Sequence, residues 1–86
     1  MQEQIIIYYD KDKKHPNDYI IKRVLTPDGD KYSIISYYKI FGMVKRFHSK
    51  IELSNVAVNK YILQCMKSQF FNRVEYQKVM EGIKND

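Results

Sequence analysis

Two hydrophobic periods alternate along this chain, and they predict different elements. The run Gln4 to Tyr9 holds Ile5, Ile6, Ile7, Tyr8 and Tyr9 in succession and closes at Asp10. This density of β-branched and aromatic side chains predicts a first strand. The segment from Asp10 to Asp18 mixes both charge signs with turn formers and reads as a solvated loop. Tyr19–Leu25 and Lys31–Tyr37 are apolar runs joined by Thr26-Pro27-Asp28-Gly29-Asp30. Pro27 presets φ for the first corner of a type I turn, and Gly29 can take the left-handed conformation of the residue that follows. A β-hairpin is the expected result.

From Ile34 to Ile51 the two periods compete. Ile34, Tyr37, Phe41, Val44, Phe47 and Ile51 recur at helical spacing, whereas Tyr32, Ile34, Ser36, Tyr38 and Ile40 alternate as in a strand. The expectation is a strand to about Tyr38 that gives way to a helix or irregular turn around Lys39–Ser49. Ser54 then supplies an N-cap for an amphipathic helix whose stripe is Val58, Tyr61, Ile62, Cys65, Met66 and Phe70. Asn72 and Glu75 have capping-box spacing, and Tyr76, Val79, Met80 and Ile83 continue an apolar face, which predicts a second helix. Together these elements describe an α+β fold: an N-terminal antiparallel meander of about three strands with one or two C-terminal amphipathic helices packed on one face.

With 86 residues, 44% hydrophobic and only three Gly and two Pro, the chain suits one small folded domain, residues 1–86. Cys65 is the single cysteine, so no internal disulfide forms and no multi-cysteine zinc site is available. Asp10, Asp12 and Asp18 lack the central Gly and bidentate Glu of a calcium loop, and Lys14 stands at a ligand position. No phosphate-binding glycine loop, Gly-flanked serine or helical His-Glu metal pair is present. A non-catalytic protein without cofactor is expected. The apolar run at Ile5 follows Gln2, Glu3 and Gln4 instead of a basic segment, and no stretch approaches a membrane span, so a cytoplasmic location with no membrane partner is expected.

Charge narrows the partner. Between Lys31 and Ile51 there is no acid, while Lys31, Lys39, Lys45, Arg46 and Lys50 supply five positive charges, equal to the whole net charge of +5. Aromatic rings are interleaved with them. A positive, aromatic segment of this kind attracts nucleic acid, or an acidic or nucleic-acid-associated protein. Phe47 to Ile62 resembles a helix-turn-helix, with Phe47 and Ile51 on the first helix and Ala57, Val58, Tyr61 and Ile62 on a recognition helix. That resemblance implies base contacts from Asn55, Asn59 and Lys60, a phosphate at Ser54, and backbone contacts from Lys45, Arg46 and Lys50. His48 and Glu52 depart from the motif, and the same residues suit an ordinary capped helix after a loop.

A second nucleic-acid reading places Tyr32, Tyr37 or Tyr38 on an exposed sheet as stacking groups, with Lys22, Arg23, Lys31 and Lys39 holding phosphates. Arginine occurs only at 23, 46 and 73, which disfavours base-edge readout, and eight Tyr with four Phe also suit a protein-binding module. A homodimer through strand Gln4–Tyr9 or helix Arg73–Ile83 is expected on symmetry grounds.

Overall fold

A computed structural model of the chain describes residues 2–11, 13–14 and 17–79. Its order is β1 (Gln2–Tyr9), β2 (Asp18–Asp28), β3 (Lys31–Ile40), β4 (Met43–His48), β5 (Leu53–Ser54), α1 (Val58–Met66) and β6 (Phe71–Val79). The strands form one antiparallel sheet in the order β4-β3-β2-β1-β6, with the short β5 beside the start of β3.

The first strand and a hairpin joining β2 to β3 form as the sequence predicts, but the turn is tighter than expected: Pro27 lies within β2 opposite Tyr32, Asp28 pairs with Lys31, and only Gly29, at φ +64°, and Asp30 connect the strands. The sequence-based α+β expectation of a three-strand meander with one or two C-terminal helices is otherwise overturned. Six strands and one nine-residue helix make up the described residues.

The segment expected to turn helical after Tyr38 instead continues as strand to Ile40, reverses at Phe41-Gly42, and returns as β4. Phe41 has φ 48° and Gly42 φ 82°, the two positive values of a type I′ turn, whose twist matches that of the flanking strands. The helical recurrence through Phe41, Val44 and Phe47 is thus incidental. β4 lies exposed along its whole length and buries no helical stripe.

The helix expected from Asn72 is β6, which pairs with β1 through Ile5↔Tyr76, Ile7↔Val74 and Tyr8↔Arg73. A local capping box is worth about 1 kcal/mol. The open edge of the isoleucine-rich β1 offers a full ladder and a place for Val74 in the core, which outweighs that local preference. Met80 and Ile83, assigned to the same helix from the sequence, lie outside the described residues, as do Asp12 and His15 of the charged loop.

α1 forms where expected but starts at Val58. Ser54 caps the turn before it, its Oγ accepting the Ala57 N–H at 3.3 Å. Val58 and Ile62, one helical turn apart, pack onto Ile5, Ile7, Leu25 and Ile34. Ile7 and Leu25 are fully buried. The main core cluster therefore lies between α1 and one face of the sheet. No described helix or strand covers the other face, the open face.

Candidate nucleic-acid interface

The open face is defined by register. Side chains directly opposite one another on antiparallel strands point to the same side. Ile5, Ile7, Leu25 and Ile34 face the helix, so their neighbours Ile6, Tyr8, Val24 and Ile35 face away from it. The Gln4 amide donating to Thr26 Oγ1 at 3.1 Å belongs to the same open side.

One transverse row crosses all five strands of this face. Arg73 on β6 pairs with Tyr8 on β1, Tyr8 with Lys22 on β2, Lys22 with Tyr37 on β3, and Tyr37 with Arg46 on β4. Cation and ring alternate from one edge to the other. Contacts along the row are direct: the Arg73 guanidinium lies 4.1 Å from the Tyr8 ring centroid, and Lys22 Nζ lies 5.1 Å from that of Tyr37. With neighbouring strands about 4.8 Å apart, the row is about 19 Å long and its two rings are about 10 Å apart.

Beside it runs the apolar row Ile6-Val24-Ile35. Ile6 and Val24 are only 6% and 8% exposed although no described layer lies over them. Lys39, two residues beyond Tyr37, and Lys31 at the far end of β3 add charge on the same side. Opposing acids are Asp28 at the hairpin and Glu75, whose Oε2 lies 2.8 Å from Arg73 Nε. An exposed pair of that kind is worth at most about 1 kcal/mol and yields readily to a phosphate.

The residues expected from the sequence to form one patch are divided by the sheet. Tyr37, Lys31, Lys39 and Arg46 are on the open face, whereas Tyr32, Tyr38 and Lys45 are on the helix side. Tyr32 packs against the core, and Tyr38 makes an edge-on contact with Phe47, with centroids 5.4 Å apart. Lys50 is exposed in the loop after β4; Ser54, Asn55, Asn59 and Lys60 are exposed in the turn and first turn of α1. The helix-turn-helix reading is corrected outright, because Phe47 and His48 belong to β4 and Ile51 to an exposed loop, so no first helix exists. Tyr8 and Arg73 were missed by sequence reasoning. The strand alternation of β1 could have singled out Tyr8, whereas Arg73 was hidden by the helix expected from Asn72.

A polar cluster sits on the helix side. Arg23 Nη1 donates to Ser36 Oγ at 2.6 Å and Nε to Tyr9 Oη at 3.4 Å. Burial pulls the Arg23 pKa down, but Tyr9 and the nearby Tyr61 and Tyr38 more than offset it. Cys65 packs against the core as a small apolar residue. The groove of about 330 Å³ beside it is lined by Tyr9, Arg23, Tyr61, Gln64 and Ser68 among others, with neither histidine nor carboxylate. Among the described residues no group of three His, Cys, Asp or Glu could hold a metal, and no helix is long and apolar enough to cross a membrane.

Burial pushes the Tyr9 phenol from 10.0 up to about 12, helped by its contact with Cys65 and opposed by Arg23. Tyr61 is raised in the same direction, again mainly by burial. The folded chain therefore keeps protons that the unfolded chain releases near its ordinary phenol pKa. This part of the stability is fully present below the unfolded pKa and is lost as pH rises toward the folded one. Melting temperature is expected to fall as pH rises above about 10, and less steeply in Tyr9→Phe. Equal slopes in the two proteins would contradict this account.

No protein-family model matches the chain, and no curated protein or solved structure matches it.

Proposed function

We propose that the protein is a non-catalytic nucleic-acid-binding protein and that single-stranded nucleic acid lies across the open face of its sheet. The observation that carries this reading is the row Arg73-Tyr8-Lys22-Tyr37-Arg46. Phosphates need cations at regular intervals, and unpaired bases need flat groups between them; this row alternates the two. Tyr8 and Tyr37 supply the rings, each with a cation already over it. Arg73, already stacked on Tyr8, offers a guanidinium plane on which a base can lie in turn. Lys39 and Lys31 extend the positive track along β3. A duplex suits the face less well, since its bases are already stacked and the described open face presents neither a helix nor a protruding hairpin for a groove.

Fluorescence anisotropy with labelled twelve-nucleotide DNA and RNA single strands, each compared with its duplex, tests the reading. Single strands are expected to bind at least tenfold more tightly than the corresponding duplex. Log K is expected to fall with log salt by about 0.7 for each neutralised phosphate, so Lys22→Ala flattens the slope by about that amount. A requirement for RNA would point to 2′-hydroxyl contacts; equal binding of DNA and RNA would point to stacking and phosphates alone. Absence of binding to either single strand at about 50 mM salt would contradict the proposal, because electrostatic binding is strongest there.

A further inference from the structure

Apart from Arg46, the outer edge of β4 combines features that the open-face row does not use. All six of its residues are exposed, and no described strand pairs with it on that side. Met43 is 60% exposed, Val44 58% and Phe47 51%, and Phe41 at the adjoining turn is 74% exposed. Phe41 also holds a positive φ, where Asn is the ordinary choice in a type I′ turn, so neither backbone nor burial accounts for an aromatic residue there. Ladder parity shows which backbone groups are free. The pairs Ile40–Met43, Tyr38–Lys45 and Ser36–Phe47 bond to β3, and the Ser49 N–H donating to the Ile34 carbonyl at 2.9 Å continues the same alternation. Val44, Arg46 and His48 therefore turn their N–H and C=O groups outward.

Charge decides what can add there. Lys45 and Arg46 stand at the middle of the strand, one on each face of the sheet. A second copy pairing antiparallel through β4 would set Lys45 or Arg46 against Lys45 or Arg46 in every register that joins five or six residues. Like charges placed directly opposite are unfavourable, and a central lysine is a common way to block edge-to-edge pairing. An incoming strand with acids at its centre and apolar residues on either side meets the opposite situation. Its acids face Lys45 and Arg46, while its apolar residues lie beside Met43, Val44 and Phe47. On the helix side a cavity of about 390 Å³ bordered by Ser36, Tyr38, Ile40 and Phe47 opens next to the strand. An apolar side chain of the added strand fits at its rim.

We propose that β4 is a docking edge for an extended segment of a partner protein carrying two central acidic residues flanked by apolar ones, added to the sheet as a further strand. It shares Arg46 with the open-face row but does not require nucleic-acid binding there. Either strand direction serves, since the paired acids occupy the centre in both.

Three capped peptides test it: Thr-Val-Ile-Asp-Glu-Val-Ile-Thr, the same peptide with Lys-Lys at the centre, and the acidic peptide N-methylated at alternate residues. Amide chemical shifts and titration calorimetry are read on the intact chain. The acidic peptide is expected to bind at least tenfold more tightly than the Lys-Lys peptide, with shifts concentrated in Met43–His48. N-methylation is expected to cost at least tenfold, because it removes the ladder without changing charge. Lys45→Glu, at an exposed position on the helix side, is expected to weaken the acidic peptide by fivefold or more and to improve binding of the Lys-Lys peptide. Four results overturn the proposal. These are no binding of the acidic peptide at about 1 mM; equal binding of the N-methylated peptide; shifts centred on Tyr8, Lys22 and Tyr37 instead; and sedimentation of the free chain as a dimer that the acidic peptide does not dissociate.

Discussion

Replacing both Tyr8 and Tyr37 with Ala is expected to reduce single-strand affinity by at least about 30-fold, whereas replacing both with Phe leaves it within about threefold of the parent. Stacking of one base on an aromatic side chain is worth about 1 to 3 kcal/mol, and the two rings, about 10 Å apart, are far enough separated for their losses to add. Phe keeps the ring face and loses only the hydroxyl, so the comparison separates stacking from hydrogen bonding. Both tyrosines are themselves half-buried, and the Ala variants therefore require a circular dichroism check of their folding. A folded Ala variant that binds like the parent would leave phosphate attraction as the whole interaction and remove the stacking role from the row.

The second large effect concerns the fold on which the row depends. Leu25→Ala is expected to cost about 2 to 5 kcal/mol. Leu25 is fully buried, opposite Ile5 on β1 and Ile34 on β3, under Val58 and Ile62 of α1. A domain of this size has about 4 to 13 kcal/mol of stability in total, so one such cavity removes a large share of it. In urea unfolding the midpoint should fall by one molar or more, while Ile51→Ala, at a position 69% exposed, should change stability by no more than about 0.5 kcal/mol. A loss below about 1 kcal/mol for Leu25→Ala would mean that α1 does not close over this face.

What the sequence made legible follows from where each structural signal resides. β1 and the β2–β3 hairpin carry their information locally, in β-branched density and turn chemistry, and both appear, although the turn falls on Gly29-Asp30 and Pro27 extends β2 instead of taking the first corner. The stripe of α1 is local too. β6 is not: its partner β1 lies about seventy positions earlier, and a capping box at Asn72 and Glu75 gave a local pattern that the long-range ladder overrode. β4 was obscured by Phe41 at a position where Asn would have announced a type I′ turn.

The site divides along the same line. That Lys31, Lys39, Arg46 and Tyr37 share one face with Lys22 is a matter of strand parity, and parity was readable through β3. Lys45 was grouped with Arg46 as part of one basic segment, yet adjacent residues on a strand point to opposite faces. Of the two surfaces expected for a homodimer, β1 is paired on both sides and offers no edge, and Arg73–Val79 is the outermost strand of the sheet instead of part of a helix. Tyr8 and Arg73, which complete the row, become neighbours only through the pairing of β1 with β6.

Amide chemical-shift mapping of the labelled protein with a twelve-nucleotide single strand tests the central claim most directly. The open-face account predicts that the largest shifts fall on Tyr8, Lys22, Tyr37, Arg46 and Arg73, with Lys39 next and the amides of α1 little changed. Shifts confined to Asn55, Asn59 and Lys60 on the helix side, or no shift at about 1 mM strand, would contradict it.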